Sequence, residues 1–275
     1  MENKIKRILI PIDYSPNATQ AAIFGFGLAE QLGAEVLLFH AYHFPLTTSE
    51  DMVYVAEMKD GEDEKLEKER EKFQQRFKKV KMSSLVEYGS AVDLIASLSE
   101  RKDIDLIVMG TKGETSALDA VLGSVASNTI NSVNCPLLII PEETKEFKLE
   151  EILFATDYHS TPSREVYAPL FQLLDKSGAS IDIVNVKPEI ELEDMPSREE
   201  IRTKNMFKDY KFSHHFIEAE NVEEALFDFA VTNHCDLMVI LTKHYSLWQR
   251  IWHTSLAKKL SLHSTIPLLI LHEKS

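Results

Sequence analysis

The chain is poor in cysteine, glycine and tryptophan: its 275 residues include two cysteines, nine glycines and two tryptophans. Two cysteines cannot build the disulfide framework on which small secreted domains depend. Cys135 and Cys235 each stand beside an apolar run that reads as a buried strand, so both are expected as reduced core residues. No apolar run approaches the roughly 18 residues that span a bilayer, and the opening MENKIKRILIPID enters a strand pattern without an apolar signal region. A cytoplasmic location with no membrane partner is the expectation from those absences. Basic residues are also in deficit, with 30 Lys and Arg against 44 Asp and Glu, a net charge of -14 and a pI near 5.2. Nucleic acid is therefore not an expected partner, because a phosphate backbone is neutralised by a concentrated Lys/Arg surface. A small anionic ligand stays compatible with an acidic chain, since backbone N–H groups at a helix N-terminus can hold it locally.

What is present describes a folded α/β protein. Hydrophobic residues make up 44% and charged residues 27%, as in a globular chain with a full core. Short β-branched runs alternate with helical patterns, the signature of βαβ units around a parallel sheet. In the first half strands are expected near Arg7–Ile12, Glu35–His40, Ser84–Glu87, Leu106–Gly110 and Leu137–Ile140, with helices at Asn17–Leu32, Glu62–Lys79, Ala91–Glu100 and Leu122–Ser132. The charged helix around Asp60–Lys79 has i,i+4 pairs of opposite sign and Phe73 and Phe77 on one face, which describes a solvated helix docked by its apolar edge.

The same order then repeats. ILIPIDYS at Ile8–Ser15 is matched by ILFATDYH at Ile152–His159, an offset of 144. DLIVMGTKG at Asp105–Gly113 is matched by DLMVILTKH at Asp236–His244, and CPLLIIP at Cys135–Pro141 by IPLLILH at Ile266–His272, both at an offset of 131. A constant offset means that the stretch between those two matches has equal length in each copy. The halves read as homologous domains, 1–143 and 149–275, joined by the polar EETKEFKLE of Glu142–Glu150.

The candidate site follows the fourth strand of the first domain. Gly110-Thr-Lys-Gly113 is followed by nine residues, then Gly123-Ser124 and a helix opening VASNTINSV. The carboxyl end of a parallel strand leading into a helix N-terminus is where open α/β sheets bind ligands. Glycines let the backbone approach a ligand, and Gly123-Ser124 can offer N–H groups and a hydroxyl to phosphates at the positive end of the helix dipole. Glycines after strands also close tight turns without any ligand. The full G-x2-G-x9-G-S spacing, with Asp13 at the end of the first strand, favours a nucleotide. From that position Asp13 can hydrogen-bond a sugar or base, or help hold a divalent cation through water.

On these residues the chain resembles a tandem member of the universal stress protein family, with P-x-D-x-S at Pro11, Asp13 and Ser15 and the glycine signature at Gly110, Gly113, Gly123 and Ser124. The resemblance implies two doubly wound α/β domains, each with a five-stranded parallel sheet in the order 3-2-1-4-5, and ATP between the ends of strands one and four. It assigns the adenosine to Asp13 and to backbone near Ala41, with Pro11, Ile12 and Ser15 alongside. Ribose and phosphates fall to Gly110, Gly113, Gly123, Ser124 and Val125, with Met109 also among the binding residues. Mg2+ or Mn2+ would come with the nucleotide and without direct protein ligands, Asp13 acting through water. Family members also pair through the last strand, which implies an internal pseudo-dimer of Leu137–Ile140 with Leu268–Leu271, or a homodimer.

The second copy departs from this pattern. At offset 131 Gly110 becomes Leu241, Gly113 becomes His244 and Gly123 becomes Thr254, while Ser124 is kept as Ser255. Asp157 survives where Asp13 stands, but His159 replaces Ser15. Side chains at these places, with Tyr245, Trp248 and Trp252, are expected to fill the phosphate volume, leaving one nucleotide site per chain. Eight of the ten histidines lie in this half. None has zinc-site spacing, and partnered or solvent-facing histidines are the expectation. Three functions remain: a nucleotide-dependent stress sensor, which is favoured, a slow ATPase, or a nucleotide-free scaffold working through protein partners. The loop has no Walker-type Lys, and although Glu114 and Asp119 lie inside it no clear base stands beside it, so activity beyond weak ATP hydrolysis is not expected.

Overall fold

The computed structural model describes residues 4–43, 51–101, 103–111, 123–144, 147–159, 161–187, 196–242 and 266–273, with backbone alone for 51–57 and 242. The chain divides into two compact units, Ile5–Phe147 and Lys148 onward.

The first unit runs β1 (Arg7–Pro11), α1 (Pro16–Leu32), β2 (Glu35–Tyr42), α2 (Asp51–Arg76), β3 (Met82–Tyr88), α3 (Ala91–Arg101), β4 (Leu106–Gly110), α4 (Ser124–Ser132) and β5 (Leu137–Ile140). Its strands are parallel in the order β3-β2-β1-β4-β5. The central strands are apolar and buried almost throughout, as two-sided helical cover demands. β1 and β4 are neighbours whose onward chains wind in opposite directions, so a crevice opens at their carboxyl ends.

Local sequence sets where α1 begins and ends. Ser15 caps it by accepting from the Ala18 N–H at 3.2 Å, Pro16 occupies the first turn, and Gly33 (φ 68°) ends it with its N–H donated to the Ala29 carbonyl. The charged helix α2 docks as expected, with Phe73 and Phe77 buried against Phe26 and ion pairs such as Lys59–Asp63 and Lys68–Glu64 on its outer side. It begins well before Glu62, because neither Gly61 nor the weak apolar period of its first turns stops a helix that tertiary packing supports.

The second unit runs β6 (Glu151–Ala155), α5 (Ala168–Ser177), β7 (Ser180–Lys187), α6 (Arg198–Phe207), β8 (Phe212–Glu218), α7 (Val222–Thr232), β9 (Leu237–Thr242) and β10 (Leu268–His272). Its parallel order, β10-β9-β6-β7-β8, is the same 3-2-1-4-5 winding read from the other edge. Its core holds an aromatic cluster: Phe154, Tyr167, Phe171 and Phe207 pack ring on ring, with centroids 5.3 to 6.1 Å apart. Cys235 is buried in a separate cluster with Leu153, Val184, Leu226 and Ala230, and burial, with Asp182, Glu151 and Asp236 nearby, pushes its thiol up to about 12, so it stays an inert core group at neutral pH. Cys135 corrects the sequence expectation. It is only half-buried, although like Cys235 it stands two residues ahead of its strand.

Candidate functional site

The site begins where β1 ends. Asp13 Oδ1 accepts from the Ser15 N–H at 3.1 Å, closing a short turn, and Tyr14 at its centre adopts a left-handed conformation with φ 65°. That conformation costs a residue with a Cβ on the order of 1 kcal/mol, so its surroundings must hold it. His40 does part of this. Its Nδ1–H donates to the Ile12 carbonyl at 2.7 Å, and its ring lies 4.6 Å from that of Tyr14, whose other neighbour is Lys65 Nζ at 3.8 Å from the ring centre. Burial, and then the negative charges of Glu62, Glu69 and Asp63, hold the Tyr14 hydroxyl far above its ordinary pKa, so the phenol stays neutral.

Across the switch point lies a cleft of about 110 Å³, far more than the roughly 10 Å³ a single water centre needs. Pro11, Ile12 and Asp13 line it from the end of β1, and Ala41 from β2. Met109, Gly110 and Thr111 line it from β4, and Gly123, Ser124 and Val125 from the start of α4. Two of the residues expected from sequence do not join them. Ser15 is buried as the cap of α1 and is not among the lining residues, and Gly113 lies outside the described residues. The structure adds Ala91 and Ile95 of α3, which sequence reasoning missed. Their one signal is position: α3 starts at the same carboxyl end of the sheet, two residues after the strand-ending Gly89 (φ 144°).

The glycine loop leaves and returns through a narrow neck. The Thr111 N–H donates to the Ile140 carbonyl at 3.2 Å, and the Gly123 N–H donates to the Thr111 carbonyl at 2.7 Å. Gly110 is required by the approach of α1, since a Cβ there would lie 2.4 Å from Asn17 Oδ1 and 3.2 Å from its backbone carbon. At the return, Gly123 occupies the N-cap of α4 in an extended conformation and makes no side-chain cap. The first-turn N–H groups at Ser124 and Val125 therefore open onto the cleft at the positive end of the helix.

The second unit keeps the turn and changes what surrounds it. Asp157 Oδ1 accepts from the His159 N–H at 3.0 Å, Tyr158 is left-handed (φ 54°), and Asn185 Nδ2 donates to the Thr156 carbonyl at 2.8 Å, as His40 does to Ile12. Leu241 stands in the place of Gly110, and α5 starts only at Ala168, whereas α1 starts at Pro16. Residues 243–265, which hold His244, Tyr245, Trp248, Trp252, Thr254 and Ser255, lie outside the described residues. The Tyr158 hydroxyl is hydrogen-bonded to His214 Nε2. His214 Nδ1 lies 3.8 Å from Glu200, which pairs with Lys204 at 2.7 Å. Burial first, then Lys204, lower the His214 pKa against the opposing pull of Glu200. His215 is held by Asp182 at 2.9 Å, so both members of the His214–His215 pair have protein partners. No group of three or more His, Cys, Asp or Glu able to hold a metal occurs among the described residues, and no helix among them is long and apolar enough to cross a membrane.

Comparison with known proteins gives this geometry a family context. The model of the universal stress protein family matches residues 4–141. A universal stress protein of Methanocaldococcus jannaschii is 30% identical over 149 residues, covering 53% of this chain and 87% of the relative. One from Thermus aquaticus is 28% identical over 135 residues, covering 49% of this chain and 98% of the relative. Among solved structures, a universal stress protein of Archaeoglobus fulgidus covers 100% of this chain and 98% of its own, with 15% identity and a TM-score of 0.74. A functionally unknown protein of Pseudomonas aeruginosa covers 98% of this chain and 94% of its own, with 16% identity and a TM-score of 0.62. These two likenesses extend the shared fold across both halves.

Proposed function

The chain belongs to the universal stress protein family, and on that premise we propose that its first half binds one ATP, with Mg2+ or Mn2+, and serves as a nucleotide-dependent stress sensor. One observation carries the reading. Residues scattered from Pro11 to Val125 converge on a single cleft at the switch point, beside a helix N-terminus that no side chain caps. Asp13 and the backbone at Ala41 take the ribose and base, while Gly110, Gly123, Ser124 and Val125 take the phosphates. The cation is held by the phosphates, with Asp13 reaching it through water. Among the described lining residues Asp13 is the sole ionisable side chain, and its Oδ1 is engaged by the Ser15 N–H. A binding protein is therefore favoured over an ATPase.

Isothermal titration of the full chain with MgATP tests this. One nucleotide per chain is expected, and Asp13→Ala should weaken ATP and adenosine together. Two nucleotides per chain would overturn the asymmetry between the halves, and none would overturn the reading itself.

A further inference from the structure

Asn17, in the first turn of α1, is 3% exposed and sits at the neck of the glycine loop. Its Oδ1 accepts from the Thr111 hydroxyl at 3.3 Å, and its Nδ2 donates to the Ile140 carbonyl at 3.4 Å, the same carbonyl that receives the Thr111 N–H. Both side-chain bonds are long, but in a buried site removing either partner strands a polar group. Thr111 is the last residue before the loop and the direct partner of Gly123, where the chain returns. One amide thus ties the exit of β4, the end of β5 and, through Thr111, the start of α4.

We propose that Asn17 is a positioning residue for phosphate binding, fixing Thr111 and Gly123 so that the first-turn N–H groups of α4 present one preset cradle to the nucleotide. The proposal rests on the nucleotide reading above. The second half supplies an internal control. There Leu241 replaces Gly110, and at the offset of the first strand Thr161 replaces Asn17. The Thr161 hydroxyl bonds instead to the Glu199 carbonyl and the Thr203 hydroxyl, at 3.3 and 3.2 Å, and so serves α6. The second half has neither the glycine nor the amide that packs against it.

A residue that only supports the fold should affect every ligand alike, whereas one that orients the phosphate cradle should discriminate by phosphate. The test titrates adenosine and MgATP into the full-length wild type and Asn17→Ala, with melting temperatures recorded alongside. Asn17→Ala should lose about tenfold in ATP affinity while adenosine changes by less than about twofold, the scale of one or two buried hydrogen bonds. Equal losses for both ligands, or no loss, overturn the proposal. A wild type that binds neither ligand overturns the nucleotide reading first, and the proposal with it. Should Asn17→Ala not fold, Thr111→Val removes the hydroxyl bond within nearly the same volume. A loss of about threefold for ATP alone is then expected, and unchanged ATP affinity overturns the proposal.

Discussion

The two halves surround a matching tyrosine with a histidine, a glutamate and a lysine, yet draw the histidine from different strands. Tyr14 is held by His40, Glu62 and Lys65, and Tyr158 by His214, beside which Glu200 pairs with Lys204. The histidine comes from the second strand in one half and the third strand in the other. In the first half His40 also tethers the carbonyl after β1. In the second half Asn185 takes that bond, which leaves His214 to engage the tyrosine hydroxyl. The turn, its left-handed tyrosine and the tether thus persist in both halves, while the glycines do not. The turn belongs to the fold and the glycines to the loop, so the second half could lose Gly110 and Gly123 without losing its sheet.

The most damaging way to break this comparison is to give the first half the residue of the second. Gly110→Leu drives a side chain into Asn17 and the backbone of α1, which in the second half is avoided by the late start of α5. The expected outcome is loss of measurable ATP binding in calorimetry, with about 1–3 kcal/mol of destabilisation in urea unfolding from overpacking. The reverse change, Leu241→Gly, should restore no nucleotide site. Wild-type ATP affinity in Gly110→Leu would refute the account of why that glycine is there.

How much of this could be read from sequence follows from what each pattern encodes. Two matches that share an offset of 131, after a first match at 144, reveal the repeat, because the stretch between those two matches then has equal length in each half. Pro11, Asp13, Gly110, Gly123 and Ser124 are legible because a ligand site in a parallel sheet lies at strand ends, and their spacing marks those ends. Ala91 and Ile95 were not legible, since an alanine and an isoleucine in a helix carry no trace of which cleft they face. Ser15 was half legible: its motif position is unmistakable, but a serine before a helix is also a cap, and capping is what its hydroxyl does. His40 and Asn185 escaped notice because two unlike side chains perform one task at matching places.

That shared task yields a smaller, sharper test. Asn185→Leu leaves the partly buried Thr156 carbonyl without its 2.8 Å donor and should cost about 1–3 kcal/mol in urea unfolding, with nucleotide affinity unchanged. His40→Leu should cost a similar amount and also weaken ATP, because Ile12 and Asp13 border the cleft. Equal nucleotide effects from the two substitutions would mean that the tethers do not report on separate sites.

The smallest expected difference is in acid sensitivity. Tyr158, Glu200, Lys204 and His215 face His214, and burial, aided by Lys204 and His215, outweighs Glu200 in keeping its folded pKa below that of the unfolded chain. The unfolded state therefore binds the proton more readily. The stability due to neutral His214 is complete above about pH 6.5 and is lost as pH falls toward the folded pKa. One such group changes stability by at most about 1.4 kcal/mol per pH unit, and the Glu200 carboxylate, which would favour a charged imidazole, keeps the change below that limit. Urea unfolding of wild type and His214→Gln between about pH 7 and pH 5 should show the variant less stable at the upper end but flatter toward acid. Parallel pH profiles would show that the imidazole is not the acid-sensitive group of the second half.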